Sequence, residues 1–431
     1  MEYKYIIEGK HRLNGTISIK GSKNSALAII VAAILAKDIV IIKNIPNISD
    51  VKNLISVLKK LNCKIKYNGY SMMIDSSKIQ YEPLYFEEIK KLRASYYFMG
   101  AFLSLFKKVE IFKPGGCEIG KRPIDLHLLG FQELNCQIID DKDKVIIDGK
   151  NYHSKTISLS FPSVGATINL ILAAVLNPGT TIIKNVAIEP EIGDLIDFLK
   201  KMGAIIIGKD EKVILIKGVE KLHGCKHKII PDRIEGGTYI IYACALANKL
   251  TIKNIIVKHQ KALLKALIDA NITMDIYQNK ITIYQNKKLS PIKLITGPYP
   301  EFPTDLQQIM CTFLTCLPGY SHVIETIFEN RYTHVDELNK LKAKIKIINK
   351  ELLIAKNKLF ANELYCKDLR GGAALLLACM MAEGVSILNN TKYIDRGYQD
   401  LIENLNNLGA CIKKEKITWK QKNKLLILYQ F

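Results

Sequence analysis

The sequence predicts an α/β protein of inverted architecture, with apolar helices as the core and sheets wrapped around them. Three observations lead there. Six short tails of similar sequence recur 67 to 73 residues apart. Each tail closes a helical stretch, and upstream of each lies a second stretch rich in alanine and large aliphatics. Between the two stretches of every unit sits a short β-branched run. Repetition at a fixed period outranks local propensity, because each unit is one supersecondary block stacked on its neighbours.

The tails are LNCKI (61–65), LNCQI (134–138), MGAII (202–206), ANITM (270–274), LKAKI (341–345) and LGACI (408–412). The helical stretches that run into them read SVLKKL, LGFQEL, DFLKKM, KALIDA, ELNKL and ENLNNL. The upstream stretches read NSALAIIVAAILA, RASYYFMGAFLSLF, GATINLILAAVL, GTYIIYACALA, DLQQIMCTFLTCL and GGAALLLACMMA. These are apolar nearly all round, and a helix without a polar face belongs in a core. The runs between them, such as IVIIKN, TTIIKN and VSILNN, have strand composition. After the tails the period falls to two, as in KVILIKG at 212–218. One unit is therefore strand, helix, strand, helix and closing strands. Six units divide as three plus three, with the break near 219–232, where VEKLHGCKHKIIPDR carries a glycine and mixed charge. A cleft between two domains is a preferred place for a small ligand.

The formal net charge of +21 over 431 residues favours anionic partners. The lysines are scattered, and no arginine-rich arm or basic run with interleaved aromatics points to nucleic acid. None of the ten cysteines forms a C-x-x-C pair, so neither a metal site nor a cofactor is expected from them. Most lie in apolar contexts such as LLLACMM and read as small buried hydrophobes. The longest apolar run, SALAIIVAAILA, has twelve residues and is too short for a bilayer. The expectation is a cytoplasmic protein in a reducing compartment, with no membrane or nucleic-acid partner.

The stretch KPGGCEIGKRPIDLH (113–127) puts a thiol on a glycine loop between cations. Lys113, Lys121 and Arg122 near Cys117 favour its thiolate, so it suits a nucleophile or, protonated, an acid. In GSKNSALA (21–28), Lys23 and Asn24 open a buried helix, whose N-terminus already favours anions. Arg93, Arg233 and Arg370 stand at or near the starts of the second, fourth and sixth buried helices. Arg331 and Arg396 stand at the starts of second helices of their units. The planar guanidinium fork matches carboxylate and phosphate, so arginines at equivalent helix starts imply convergence on an anionic ligand. For Arg233 a structural ion pair is the reading. Asp305, in EFPTDLQ, has either a capping use at the fifth buried helix or the role of a base in a closed cleft.

At these motifs the chain resembles the UDP-N-acetylglucosamine 1-carboxyvinyltransferases, also called enolpyruvyl transferases, over nearly all of its length. GSKNSALA, LRAS, PGGCEIGKRPIDLH, PSVGAT, PDRIEGGT, FPTDLQ, FENRYTHVDEL, DLRGGAALLLA and YIDRGY occur in the family's order. The resemblance implies two inside-out α/β domains of three repeats each. They would span 22–229, and 1–21 with 230–431, the chain crossing between them twice. It implies transfer of the enolpyruvyl group of phosphoenolpyruvate to the 3-hydroxyl of UDP-N-acetylglucosamine, with release of phosphate, as the first committed step of peptidoglycan synthesis. It implies no cofactor, no metal and a monomer. Cys117 would protonate carbon 3 of phosphoenolpyruvate and be the target of fosfomycin. Lys23, Arg122 and Arg396 would hold the phosphate, with Asn24 close by, and Arg331 and Arg370 the carboxylate. Asp305 would take the proton from the sugar hydroxyl. Asn24, Arg93, Arg122, Pro123, Ile124, Asp125, Leu126, Ser163, Val164, Gly165 and Ile327 would meet the nucleotide sugar.

Two positions depart from the family pattern: Tyr393, where histidine is usual, and Lys342, where the fifth tail usually has glycine. Lysine at that point is strained if the backbone needs φ > 0. Two other readings of the function share the fold. One is the sister reaction on shikimate 3-phosphate, which the cysteine loop argues against. The other is a non-catalytic UDP-sugar-binding homologue, which intact Cys117, Lys23, Arg122, Asp305 and Arg396 argue against.

Overall fold

The computed structural model describes residues 3–113, 124–286 and 288–417. Among these the α-helices, in chain order, are α1 (Lys23–Ala32), α2 (Ser49–Lys60), the short α3 (Glu87–Lys91), α4 (Tyr97–Phe106), α5 (Asp125–Glu133), α6 (Val164–Ala174) and α7 (Pro190–Lys201). Then come α8 (Arg233–Leu246), α9 (Lys261–Asp269), α10 (Thr304–Leu314), α11 (His334–Lys340), α12 (Leu369–Met381) and α13 (Leu401–Asn407). The six aliphatic stretches are α1, α4, α6, α8, α10 and α12, and they are the core. In α1 every residue except Asn24 is buried.

These helices approach closely because small or hydrogen-bonding residues face one another. Gly100 of α4 donates its N–H to Asn169 Oδ1 of α6 at 2.8 Å. A Cβ at Gly100 would meet the Asn169 carbonyl oxygen at 2.2 Å, so glycine alone allows the approach. In the other half, Thr312 of α10 donates to the Ala374 carbonyl of α12 at 3.1 Å. Four of the six buried helices start on a side-chain cap: Ser22, Ser163, Asp232 and Asp368 each accept from the first-turn N–H groups. Each such cap contributes about 1 kcal/mol.

Among the described residues six sheets enclose the helices on one plan. In the first unit Ile39–Lys43 pairs parallel with Lys226–Lys228 and antiparallel with Ser71–Asp75, which continues antiparallel to Lys64–Tyr67. Five sheets have four strands; that of the second unit has three, and its parallel edge is reduced to a single bridge from Leu84 to Ile111. In the sixth unit Tyr3–Glu8 lies between Val385–Asn389 and Cys411–Lys416, antiparallel to both. Leu13–Ser18 runs parallel to Ala247–Lys253 in the fourth. The first strands of the chain thus complete sheets of its last three units.

Two separate hydrophobic cores result. One is built from side chains between Ala26 and Ile229, the other from Tyr5, Ile7, Leu13 and Ile19 with residues from Ile234 to Ile412. The chain passes between them at two places, which lie side by side. Ser22 N–H donates to the Ile230 carbonyl at 2.8 Å, and Asp232 N–H to the Lys20 carbonyl at 2.9 Å. Lys23 N–H adds a bond to Asp232 Oδ2 at 2.8 Å. Among the described residues no helix is long and apolar enough to cross a membrane.

The six tails share one backbone turn. Their second residues, Asn62, Asn135, Gly203, Asn271, Lys342 and Gly409, all have positive φ. Asparagine tolerates the left-handed region and glycine enters it freely. Lysine does neither, and Lys342 sits at φ 67°. Lys342→Gly is expected to stabilise the protein by about 0.5–1 kcal/mol, read from urea unfolding. An unchanged or lower midpoint would show that the turn carries no strain.

Candidate active site

A cleft of about 580 Å³ opens between the two cores. Helix starts from both halves converge on it. Lys23 and Asn24 come from the first turn of α1, Arg93 from the 3₁₀ turn before α4, and Val164 and Gly165 from the start of α6 after its cap Ser163. Asp305 comes from the first turn of α10 and Arg370 from that of α12. Asp125, Leu126 and Ile327 complete the predicted set on its walls. Ile124 is part of the first core instead, 8% exposed. Cys117, Arg122 and Pro123 lie outside the described residues.

Arg331 and Arg396 also line the cleft, but neither opens a helix. Arg331 is in the turn before α11, and Arg396 ends a 3₁₀ segment, Thr391–Arg396, five residues before the start of α13. Asp305 does not cap α10; Pro303 holds that position with no side-chain bond. Its carboxylate is therefore available to other partners, and two arginines take it. Oδ1 accepts from Arg331 Nη2 at 2.9 Å and Oδ2 from Arg370 Nη2 at 3.2 Å. Arg331 is only 1% exposed, and its Nε–H has no partner among the described residues.

A second carboxylate does the same on the opposite wall. Asp50, in the first turn of α2, accepts from Lys23 Nζ at 2.7 Å and from Arg396 Nε at 3.2 Å. Lys23 belongs to the first core and Arg396 to the second, so Asp50 ties the two halves at the cleft. Burial pushes the Lys23 ammonium below its ordinary pKa, and Asp50 opposes that. Arg233 pairs with Glu191 of α7 at 3.1 Å, as its structural reading expected, and this pair too crosses between halves. Burial raises the Glu191 carboxyl, against the pull of Arg233. His127 lies on the wall with its pKa pushed down to about 4, mainly by burial and next by Arg93, so it is neutral near pH 7.

The described lining holds six cations, Lys23, Arg93, Arg233, Arg331, Arg370 and Arg396, against seven carboxylates. Of these carboxylates Asp125 and Asp305 were expected from the sequence; Asp50, Glu189, Glu191, Glu301 and Asp368 were not. Asp50 and Glu191 occupy first turns of second helices, in NISDV and EPEIGD, where an acid is favoured by the helix dipole. That ordinary use of an acid does not single out Asp50 or Glu191 as a site residue. The arrangement is a set of cations held in position by Asp50, Glu191 and Asp305, with Arg331 Nε–H unpaired among the described residues.

The sequence and the fold match known proteins. The model of the family described as EPSP synthase (3-phosphoshikimate 1-carboxyvinyltransferase) covers residues 7–405. UDP-N-acetylglucosamine 1-carboxyvinyltransferase 2 of Bacillus cereus is 42% identical over 417 residues, 96% of this chain and 97% of the relative. The chain belongs to this enolpyruvyl transferase family. Proteins of the same name from Geobacillus kaustophilus and Listeria innocua are 42% and 41% identical, over 96% of this chain in each case and 97% and 98% of the relatives. Among solved structures, the enolpyruvyl transferase NikO from Streptomyces tendae superposes with a TM-score of 0.88 at 23% identity, covering 97% of this chain and all of that one. EPSP synthase from Acinetobacter baumannii superposes at 0.74 and 14% identity, covering 96% of this chain and all of that one. The enolpyruvyl transferase fold is thus shared well beyond sequence likeness. Tyr393 is half-buried and packs against the second core.

Proposed function

We propose that the chain transfers the enolpyruvyl group of phosphoenolpyruvate to the 3-hydroxyl of UDP-N-acetylglucosamine, releasing phosphate, as a monomer in the cytoplasm. The observation that carries this reading is the pair of carboxylate-held cation groups facing one cleft: Lys23 with Arg396 on Asp50, and Arg331 with Arg370 on Asp305. Phosphoenolpyruvate has a phosphate and a carboxylate a few bonds apart, and two separate cation groups suit two separate anions. The nucleotide sugar then takes the walls formed by Asn24, Arg93, Asp125, Leu126, Ser163, Val164, Gly165 and Ile327.

In this reading Asp305 accepts the proton of the 3-hydroxyl as its oxygen attacks carbon 2 of phosphoenolpyruvate. The Cys117 thiol delivers a proton to carbon 3, giving a tetrahedral addition product. Loss of phosphate and of a proton from carbon 3 restores the double bond in the product. Lys23, Arg122 and Arg396 hold the departing phosphate, and their charge stabilises it as the bond breaks.

The test is phosphate release from phosphoenolpyruvate, with and without UDP-N-acetylglucosamine, in wild type and Cys117→Ala. Release is expected to require the nucleotide sugar and to fall by about 10²–10⁴-fold in the variant. Release without the sugar, or none while UDP-N-acetylglucosamine still binds, contradicts the transferase. In the same protein fosfomycin is expected to add one adduct, on the peptide holding Cys117.

A further inference from the structure

Away from the cleft, three side chains of different chemistry meet on the outer face of the sixth sheet. Glu8 ends the strand Tyr3–Glu8, and Cys411 opens Cys411–Lys416; the two are direct cross-strand partners. His11 follows in the turn after Glu8. That turn is pinned, because Gly9 N–H donates to the Gly384 carbonyl at 3.0 Å and Lys10 N–H to the Met380 carbonyl at 2.8 Å. His11 Nε2 lies 3.4 Å from Glu8 Oε1, and Cys411 Sγ lies 3.7 Å from Glu8 Oε2. One ligand atom from each of the three falls within 4.8 Å of the others.

We propose that Glu8, His11 and Cys411 form a zinc site that clamps the strand Tyr3–Glu8 to Cys411–Lys416. The argument is geometric and chemical. With zinc bonds of about 2.0–2.1 Å to nitrogen or oxygen and about 2.3 Å to sulfur, the edges of a tetrahedron are about 3.3 Å between nitrogen and oxygen and about 3.5 Å between sulfur and oxygen. The observed 3.4 and 3.7 Å are near these edges but run to the two different oxygens of Glu8, so binding needs a turn of that carboxylate and closure of the imidazole and the thiol from within 4.8 Å. The donor set also selects. A thiolate and an imidazole suit zinc and its borderline neighbours, whereas magnesium and calcium seek oxygen alone. Thiolate and carboxylate together supply two negative charges against the formal +21 of the chain. Water fills the fourth position. None of the three residues lines the cleft, so the clamp acts on the sheet and not on the transfer reaction.

Co²⁺ is the probe, because a thiolate bound to it gives a charge-transfer absorption that zinc lacks. In the untagged full chain that band is expected to saturate at one equivalent, to disappear when Zn²⁺ is added and to persist in excess Mg²⁺. Cys411→Ser is expected to abolish it. His11→Ala is expected to weaken Co²⁺ binding at least roughly tenfold, the lower end of what losing even an outer partner does. Affinity is expected to fall as pH drops, since thiol and imidazole must both lose their protons. Zn²⁺ is also expected to raise the thermal midpoint of wild type and not of Cys411→Ser. The proposal is overturned if wild type shows no band, or if the band survives in Cys411→Ser. It is equally overturned if the band is lost in Cys117→Ser, which would move the thiolate to the glycine loop.

Discussion

Asp305→Asn is expected to lower kcat by about 10²–10⁴-fold, the usual contribution of a positioned general base. The amide keeps the shape of the carboxyl and one oxygen for Arg331 or Arg370, so the cleft stays assembled. It cannot accept the proton of the sugar hydroxyl. The dissociation constant for UDP-N-acetylglucosamine, measured by calorimetry, is therefore expected to stay within about threefold of wild type, because a loss confined to the transition state leaves ground-state binding intact. A variant within tenfold of wild-type turnover would remove Asp305 from the chemistry and leave it as the holder of two arginines.

Asp50→Ala is expected to act first on stability. Asp50 is 2% exposed and bonded to both Lys23 and Arg396, and Lys23 is itself buried. Deleting one partner of a buried ion pair leaves an uncompensated charge and costs about 3–5 kcal/mol. Here the loss should be partly reversible. A phosphate in the cleft supplies the missing negative charge, so phosphoenolpyruvate or inorganic phosphate is expected to raise the melting temperature of the variant more than that of wild type. Equal melting temperatures for variant and wild type without ligand would show that the two cations need no internal counter-charge.

Much of this was legible in the sequence, and the reason is specific. The six tails could be read because their turn demands a left-handed residue, which limits the sequence to asparagine or glycine in five of six cases. The six core helices could be read because burial on every side leaves them no polar face. Lys23, Arg93, Arg233 and Arg370 reached the cleft because each sits at or beside a helix start, and the helix starts converge. The carboxylates that hold them were harder to see. An acid in the first turn of a helix has an ordinary dipolar explanation, so Asp50 and Glu191 give no sign of what lies across the cleft. Arg331 and Arg396 were assigned to helix starts because the aliphatic period after them is clear, while the turns that carry them have no period. The pairing of Tyr3–Glu8 with Cys411–Lys416 joins segments some 400 residues apart, and no local pattern reports it.

The side-by-side crossings at Ser22 and Ile230 have a meaning for assembly on the ribosome. The first core is complete once residue 229 has emerged, before any partner of Leu13–Ser18 exists. When it folds, its two ends are already hydrogen-bonded to each other. The roughly 210 residues that separate Leu13–Ser18 from the start of α8 then behave as a short, stiff bridge. On the logarithmic scaling of loop closure, that spares the second half roughly 3 kcal/mol of chain entropy when its fourth sheet forms. The folded first half serves as an internal template that hands the oldest part of the chain to the newest.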